Sequence, residues 1–334
     1  MGHRESDDRV RRAEVVQRPR PWRIRRAAGL MRLATFRHDG RDQTGIVDGE
    51  RVHPFLGDPD MLAVIETGPE SIGTGPGLPL REVRLLAPLQ PRSIRDFVAF
   101  AEHVEGVRRA VDGGNGVPNA WYDAPTFYFS NPHTVIGPED DVAFPARSLT
   151  RDFELEVAAV IGPDEHIFGY TIFNDWSARD VQSREMQVNL GPAKGKDFAG
   201  SLGPWIVTAD ELEPLRDSDG FLNLWCHALV NGVEVGRDLL SNMGWTFETM
   251  VAYAARDSRV VSGDVLGSGT VGNGGCLAEL WGRRGEHEPP PLCDGDVVTL
   301  TVEGIGSLTN RVVSGPVHPE LPPVRRRDPS AARR

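Results

Sequence analysis

The segment "TRDFELEVAAVIG", residues 150–162, decides the fold. Glu154 and Glu156 alternate with apolar residues before an apolar run, which predicts a strand. Alternate side chains of a strand share a face, so the two carboxylates point the same way, with Cα atoms about 6.5–7 Å apart. Neighbouring carboxylates repel each other unless a cation lies between them. The pattern therefore predicts either an exposed strand face or a site that holds a cation.

The next informative segment is "HIFGYTIFNDWSARDVQ", residues 166–182, in which an apolar strand passes into a helix. Asp175 lies at the junction, where it is either the helix N-cap or a third hard oxygen ligand beside the first two carboxylates. Arg179, Gln182 and Met186 follow at positions i, i+3 and i+7 and share one helical face. That face either contacts a substrate or is solvated.

Three further segments carry candidate residues. "RDFVAFAEHVEGVRRA", residues 95–110, holds Asp96 and His103, although a single histidine in a helical stretch is more often structural than catalytic. "GPAKGKDFAG", residues 191–200, is a glycine-rich loop. After residue 264, "VLGSGTVGNGG" predicts a glycine-rich turn that carries Thr270, with Glu279 on the next strand.

The chain divides into four predicted parts. Residues 1–30 and 321–334 are arginine-rich tails, residues 31–90 form a small β-rich domain with a linker, and residues 91–320 form a larger domain made mainly of strands. Within the small domain, Asp48-Gly49 is a hairpin signal, and the Gly/Pro-rich stretch 67–80 predicts the linker. Two helices are expected in the larger domain, one after Asn174 and one over residues 242–256.

Composition limits the classes of function. The 334 residues carry a formal charge of −11, and the basic ends leave an even more acidic body between them, which is a poor partner for a phosphate backbone. We therefore expect no nucleic-acid partner. No stretch approaches the roughly 18 apolar residues of a membrane span, and the three cysteines lack zinc-type spacing. A cytoplasmic protein without a membrane partner is the expectation.

Four motifs, "DFELE", "HIFGYTIFNDWSARDVQ", "GPAKGKDF" and "SGT…AEL", occur in an order and spacing that resemble the fumarylacetoacetate hydrolase superfamily over about residues 91–316. The resemblance implies a mainly β (α+β) fold with a mixed β-sandwich roll and a small β-rich N-terminal domain. It also implies a homodimer and a small keto-acid substrate.

The resemblance assigns roles to particular residues. It implies a divalent metal held by Glu154, Glu156, Asp175 and Asp96. It implies His103 as general base, with Glu279 orienting it. Positions that contact substrate or developing negative charge fall on Arg179, Gln182, Lys196, Tyr128 and Thr270. Two substrate-binding positions that hold tyrosines in the fumarylacetoacetate-cleaving enzymes are Val98 and Met186 here, and a lid glutamate position of the smaller members is Gly106.

All-oxygen ligation favours Mg²⁺, with Mn²⁺ or Ca²⁺ as alternatives. Such a metal would chelate a 2-oxo acid and polarise its carbonyl, so the expected activity is hydrolysis of a C–C bond in a β-diketo acid or acylpyruvate, with His103 activating water and the metal stabilising the enolate. Decarboxylation, isomerisation or hydration at the same site, and a non-catalytic metal-binding scaffold, are the alternatives. The segment 106–125 is the predicted lid.

The chain has two lysines among its 37 basic residues, Lys194 and Lys196, and both lie in "GPAKGK". A compact ammonium in a tight glycine-lined loop is not replaceable by a planar guanidinium. The count therefore indicates the same loop as the family pattern, although it assigns no role to Lys194.

Overall fold

The computed structural model describes residues 31–111 and 114–326. The predicted N-terminal tail and most of the C-terminal one lie outside these ranges. The helices of the described residues are α1 (Met61–Thr67), α2 (Ala101–Val111), α3 (Arg179–Met186), α4 (Ala209–Leu212), α5 (Phe247–Ala255) and α6 (Leu277–Arg284). The strands are β1 (Arg32–His38), β2 (Arg41–Asp48), β3 (Arg51–Pro54), β4 (Leu78–Pro79), β5 (Arg84–Leu85), β6 (Ile94–Phe97), β7 (Phe127–Ser130), β8 (Val135–Ile136), β9 (Asp141–Phe144), β10 (Arg151–Asp152), β11 (Leu155–Ile161), β12 (Ile167–Asn174), β13 (Ser177–Ala178), β14 (Gly200–Thr208), β15 (Trp225–Val230), β16 (Val233–Leu239), β17 (Val265–Gly267), β18 (Val297–Val302) and β19 (Gly306–Ser314).

The strand predicted from the first motif is β11, and every one of its residues is buried. It lies inside a large sheet of order β4-β3-β2-β1-β14-β12-β11-β17-β6-β7, in which β5 pairs with β1 and β8 with β14. Antiparallel β12 is one neighbour of β11, and β17 is the other. A strand buried on both faces needs apolar side chains on both, which explains the apolar run after Glu156.

The N-terminal strands continue this sheet. β1 to β3 form an antiparallel meander with the predicted hairpin at Asp48-Gly49, where Gly49 has a φ of 56°. β1 then pairs with β14, so the small unit and the larger one share one sheet. Helix α1, capped by Asp60, was not predicted, and the stretch expected to be a plain linker holds a 3₁₀ turn (Pro69–Ser71) and β4.

A second sheet, of order β16-β15-β18-β19-β9, covers one face of the large sheet. The apolar core between them joins Leu155 and Val157 of β11 to Val298 and Leu300 of β18 in one buried cluster. Apolar area removed from water in such a layer is the main stabilising contribution of the fold. The two-layer arrangement confirms the predicted mainly β fold with a mixed sandwich.

Helix positions differ from the sequence predictions in two places. α3 begins at Arg179 rather than just after Asn174, because β13 first pairs with β10, and its N-cap is therefore Ala178 and not Asp175. The expectation that Glu279 lies on a strand was wrong. It lies in the first turn of α6, which Cys276 caps and Gly285 ends with a φ of 76°.

Candidate active site around a buried carboxylate cluster

Four carboxylates converge at one end of the large sheet, and they are the four that the sequence proposed as metal ligands. One oxygen each from Asp96, Glu154, Glu156 and Asp175 lies within 4.8 Å of the others, and all four residues are buried. The exposed strand face that the glutamate spacing also allowed is thereby ruled out.

Strand pairing explains why residues so distant in sequence meet. β17 lies between β6 and β11 and pairs with both, which brings Asp96 beside Glu156. Gly267 of β17 makes room for them, because a Cβ there would lie 2.6 Å from Asp96 Oδ1 and 2.7 Å from Glu156 Oε2. Any larger residue at Gly267 would displace a carboxylate.

Three oxygens of the cluster have no hydrogen-bond partner among the described residues: Asp96 Oδ1, Glu156 Oε1 and Asp175 Oδ1. Buried polar atoms are nearly always paired, so three carboxylate oxygens without a protein partner at one point are suited to binding a cation. Oxygen-only donors suit a hard divalent ion. The residues present therefore fit a metal of the kind that the sequence predicted.

The cluster also shows electrostatic strain. Burial, together with the neighbouring carboxylates, raises the pKa of Asp96 and of Glu156 well above the usual range. Burial likewise opposes ionisation of Glu154, but Lys196 and Arg179 outweigh it and lower its pKa to about 2. The cations of the site thus compensate Glu154 fully and leave Asp96 and Glu156 with too little positive charge.

Lys196 supplies the nearest positive charge. Its Nζ donates hydrogen bonds to Glu154 Oε2 and to Asp175 Oδ2. Burial opposes the charge on this ammonium, but Asp175 and Glu154 outweigh the burial and raise its pKa. Tyr128 donates its hydroxyl hydrogen to the same oxygen of Asp175. A lysine and a tyrosine therefore share one carboxylate at the edge of the cluster.

Arg179 also bonds to other side chains of the protein. Its Nη2 lies 2.7 Å from Glu154 Oε1, and its Nη1 donates to Gln182 Oε1 over 3.2 Å. The predicted substrate contact by Arg179 therefore requires one of these partners to be shared. On the same helix, Met186 is 48% exposed.

Sequence reasoning missed Asp152, which holds this arrangement together. The carboxylate is fully buried and accepts two hydrogen bonds from Arg179, and also the backbone N–H groups of Leu277 and Ala278 over 2.8 and 3.0 Å. It joins Arg179 to the N-terminus of α6. Its only signal in the sequence was its place in "RDFELE", two residues before Glu154.

The imidazole of His103 lies beside the cluster, with its Nε2 4.0 Å from Glu154 Oε1. Burial lowers its pKa to about 4, so it is neutral at pH 7. Its Nδ1 is 3.6 Å from the Sγ of Cys276, a residue that the sequence did not single out. The thiol of Cys276 therefore lies against the other ring nitrogen of His103.

Glu279 has a different partner from the one expected. Its carboxylate lies 2.6 Å from Arg283 Nη2, and its side chain packs against Gly106 of α2. Burial raises its pKa to about 7. The role of Glu279 in orienting His103 stays a prediction. The absence of a side chain at Gly106, where the smaller family members have a lid glutamate, leaves space for the Glu279 side chain.

An open cavity of about 410 Å³ leads to the cluster. Its lining residues are Tyr128, Phe129, Ser130, Asn131, Pro192, Ala193, Lys194, Lys196 and Asp197. Both lysines of the chain therefore face the same cavity, one at the surface and one at its buried end. This cavity gives a small anionic molecule a route to the carboxylates.

The two other predicted substrate positions are Thr270 and Val98. Thr270 is buried in the loop after β17, one residue beyond Gly269, whose N–H donates to Glu156 Oε2 over 3.1 Å. Val98 accepts a hydrogen bond at its carbonyl from Nε1 of Trp121 over 2.6 Å. Trp121, which belongs to the predicted lid segment, was not identified from sequence.

The chain is similar to known proteins over most of its length. Residues 92–313 match the family model described as "Fumarylacetoacetate (FAA) hydrolase C-terminal", and residues 31–88 match "Rv2993c-like, N-terminal". "Protein Rv2993c" of Mycobacterium tuberculosis is 32% identical over 283 residues, which cover 80% of this chain and 92% of that protein.

Solved structures show the same fold. A fumarylacetoacetate hydrolase from Exiguobacterium antarcticum is similar with a TM-score of 0.65 and 28% identity, over 85% of this chain and 99% of that one. A structure described as a 5-carboxymethyl-2-hydroxymuconate delta-isomerase from Mycobacterium smegmatis is similar with a TM-score of 0.63 and 28% identity, over 85% and 100%.

No helix in the described residues is both long and apolar enough to cross a bilayer.

The family models together span most of the described chain, and they place the carboxylate cluster inside the matched region. The resemblance stated from four motifs is confirmed, and the chain belongs to the fumarylacetoacetate hydrolase superfamily.

Proposed function

We propose that this enzyme is a divalent-metal-dependent hydrolase that cleaves a C–C bond in an acylpyruvate or a related β-diketo acid. The observation that carries the proposal is the convergence of four buried carboxylates, three of them with an unpaired oxygen, beside a neutral histidine. Asp96, Glu154, Glu156 and Asp175 would hold the ion, and Mg²⁺ is the ion we propose, with Mn²⁺ or Ca²⁺ as substitutes. When bound, it supplies a Lewis acid that chelates and polarises a 2-oxo acid.

The residues of the chain supply the proton transfers. His103 is neutral at pH 7 and can accept a proton at Nε2, which faces the cluster. In the proposed reaction, His103 takes a proton from water as its oxygen bonds to the substrate carbonyl carbon. The C–C bond then breaks, its electron pair passes to the leaving enolate, and that enolate takes up a proton. That proton is the one His103 took from water, and Glu279 is the proposed acidic partner that orients His103.

Other side chains would bind the substrate. Lys196 and Tyr128 line the buried end of the cavity, where they meet an anionic or enolic oxygen. Arg179 and Gln182 both lie on α3, where Arg179 bonds to Gln182 and pairs with Glu154. Both side chains would stabilise developing negative charge. Val98, Met186 and Thr270 remain proposed shape-determining positions. With no phenol at Val98 or Met186, we favour a substrate smaller or less polar at that end than fumarylacetoacetate.

A second candidate is an isomerase, decarboxylase or hydratase that uses the same site. One observation favours it: the Glu279 carboxylate pairs with Arg283 and the His103 ring lies against Cys276, so in the described residues no hydrogen bond or ion pair joins the two side chains expected to activate water. An isomerase needs only to move a proton on the bound 2-oxo acid. The Mycobacterium smegmatis relative described as an isomerase is consistent with this alternative.

Product analysis separates the two candidates. Metal-supplemented enzyme is incubated with acylpyruvates, fumarylacetoacetate, oxaloacetate and 2-hydroxymuconate-type dienoates, and the products are identified. The proposal predicts C–C cleavage that His103→Ala abolishes and His318→Ala, at an exposed position, leaves intact. Full hydrolytic activity in His103→Ala would remove His103 as the base. Isomerised or decarboxylated products alone would replace the first candidate with the second.

We propose that the active form is a homodimer that acts on a small keto acid. Four large apolar side chains near the ends of α3 are exposed: Leu149, Met186, Val188 and Leu190. Leu149 is tied to α3 because its N–H donates to Asp180 Oδ2 over 2.9 Å. A cluster of exposed apolar residues is typical of an interface. Light scattering should give twice the chain mass, and Leu190→Asp should lower it, while a wild-type mass of one chain would reject the dimer.

A further inference from the structure

The N-terminus of α6 lies against the ring of His103. The Sγ of Cys276 is 3.6 Å from His103 Nδ1, and as the N-cap of α6 it also accepts the backbone N–H of Glu279 over 3.4 Å. Cys276 is fully buried. It therefore meets the ring nitrogen opposite to the one that faces the carboxylate cluster, and it does not itself touch a substrate.

Close packing of α2 on α6 holds this contact in place. A Cβ at Gly106 of α2 would lie 2.5 Å from Glu279 Cγ, and one at Gly282 of α6 would lie 1.9 Å from the carbonyl oxygen of Gly106. The first backbone N–H groups of α6 are bonded to the buried carboxylate of Asp152. The distance between the sulfur and the imidazole is therefore set by the packing of two helices on each other.

The contacts of the two ring nitrogens differ in a way that selects one tautomer. A neutral imidazole carries a single hydrogen, on Nδ1 or on Nε2. On Nδ1 of His103, this hydrogen has the Cys276 sulfur as its acceptor. On Nε2 it has no acceptor within hydrogen-bond distance among the described residues, because Glu154 Oε1 is 4.0 Å away and already pairs with Arg179. The arrangement favours the form with its hydrogen on Nδ1.

We infer that Cys276 is a positioning residue that accepts the Nδ1 hydrogen of His103 and so leaves the lone pair of Nε2 facing the carboxylate cluster. The inference rests on the proposed role of His103 as the base and adds the side chain that sets its tautomer. In the proposed reaction, Nε2 takes the proton of water while the Nδ1 hydrogen stays on the ring, bonded to the sulfur. No bond to the sulfur atom forms or breaks.

The surroundings of Cys276 suit a neutral acceptor. Burial, and after it the carboxylate of Asp152, raise the pKa of the Cys276 thiol well above its ordinary value. A thiolate paired with a protonated His103, which could not act as a base, is thereby disfavoured. The hydrogen of the thiol is only a weak donor, so little is lost if it stays unpaired. Because the backbone of Glu279 bonds to the same sulfur, Glu279 acts on His103 through Cys276.

Nitrogen NMR tests the tautomer without an assay of activity. The full-length protein is labelled with ¹⁵N in its histidines and measured at pH 7 with Mg²⁺ present, and His103→Gln identifies the His103 signals among the nine histidines. We expect the Nδ1–H form to predominate in the wild type and in Cys276→Ser, whose hydroxyl keeps an acceptor at the same place. In Cys276→Ala the ratio of Nδ1–H to Nε2–H should fall about tenfold.

The matched control is Cys226→Ala, which removes the other buried sulfur of the described chain, in β15. This variant should keep the tautomer ratio of His103 within twofold of the wild type. A general loss of core packing would move both alanine variants alike, whereas the inferred contact moves only Cys276→Ala.

Steady-state kinetics on an acylpyruvate give a second readout. Loss of the correct tautomer weakens the base and leaves the substrate contacts in place, so Cys276→Ala should lower kcat about tenfold with KM within twofold, and Cys276→Ser should recover most of the rate.

Two results of the NMR measurement would overturn the inference: a wild-type ring with its hydrogen on Nε2, or a tautomer ratio that Cys276→Ala leaves unchanged. Product analysis then decides the proposed function separately. If instead the tautomer shifts as expected and the wild type cleaves no C–C bond, the proposed hydrolysis is overturned and the role of Cys276 toward His103 stands.

Discussion

Arg179 donates hydrogen bonds from Nε and Nη2, over 2.9 and 2.7 Å, to the same oxygen of Asp152, and both side chains are buried. The other oxygen of that carboxylate caps α6 at Leu277. Since Arg179 also pairs with Glu154, one buried arginine connects the start of α6 to the carboxylate cluster. The geometry of the candidate active site therefore depends in part on Asp152, which acts on the cluster through Arg179.

Replacing Arg179 should lower the stability of the folded protein. Arg179→Met leaves Asp152 and Glu154 buried with less compensation, so we expect a loss of about 3–5 kcal/mol in the free energy of unfolding. The control Arg109→Met breaks only the exposed pair with Glu105 and should cost about 0.3–0.5 kcal/mol. Urea denaturation measures both. Equal losses in the two variants would show that the buried network does not stabilise the fold.

Glu156→Gln should raise the thermal stability of the metal-free protein and reduce the stabilisation that added Mg²⁺ gives. Burial holds the pKa of Glu156 well above its usual value, so at pH 7 the folded protein bears a penalty that the unfolded chain does not. The amide removes this penalty, and each pKa unit relieved is worth about 1.4 kcal/mol.

In EDTA, Glu156→Gln should therefore melt at a higher temperature than wild type, and added Mg²⁺ should raise its melting temperature less. The exposed Glu286→Gln should behave as wild type in both conditions. A Glu156→Gln protein that Mg²⁺ stabilises as much as wild type would remove this residue from the ligand set.

The raised pKa of Glu279 predicts that the stability of the protein depends on pH. Burial raises its pKa to about 7 in the folded protein, against an ordinary value of 4.5. The folded state therefore binds more protons than the unfolded state between these values, and this contribution to stability is complete below pH 4.5 and lost as the pH rises to 7. Glu279→Gln cannot ionise and should escape the loss.

We expect the stability of Glu279→Gln relative to wild type to rise by on the order of 1–3 kcal/mol between pH 4.5 and pH 8. Thermal denaturation at a series of pH values gives this difference directly. A difference that does not change over the range would mean that Glu279 titrates normally.

Gly244 tests the packing of the predicted lid. A Cβ at this position would lie 2.4 Å from Cη2 of Trp121, so Gly244→Ala should displace the indole and break its hydrogen bond to Val98. Trypsin should then cleave the segment after Arg108 or Arg109 several-fold faster. At Gly75 the nearest atom is 3.7 Å from the added carbon, so Gly75→Ala should not change the rate. Unchanged cleavage in Gly244→Ala would show that Trp121 does not hold the segment.

Local patterns predicted a large part of the fold and the site. The alternation in residues 153–157 predicted β11, and Asp48-Gly49 predicted the first hairpin, because both depend on neighbours in sequence. The four carboxylates were identified from these patterns together with the family motifs, and their convergence depends on the pairing of β17 with β6 and β11.

Features that depend on distant contacts were beyond local reasoning. Cys276 meets His103 across 173 residues, and Asp152 reaches α6 across 125, and neither distance leaves a pattern in the sequence. Glu279 was assigned to a strand because a short apolar segment around one glutamate suits either structure. In the structure the segment is a helix rather than a strand, and its buried residues include Leu277, Ala278, Leu280 and Trp281.

The dependence of turnover on a divalent ion tests the central claim most directly. Purified enzyme is assayed on an acylpyruvate after EDTA treatment and gel filtration, and again after Mg²⁺ is restored, in parallel with Glu156→Gln. The account predicts that chelation abolishes C–C cleavage, that Mg²⁺ restores it in the wild type, and that Glu156→Gln recovers little. Turnover that continues unchanged in the metal-free protein would contradict the account.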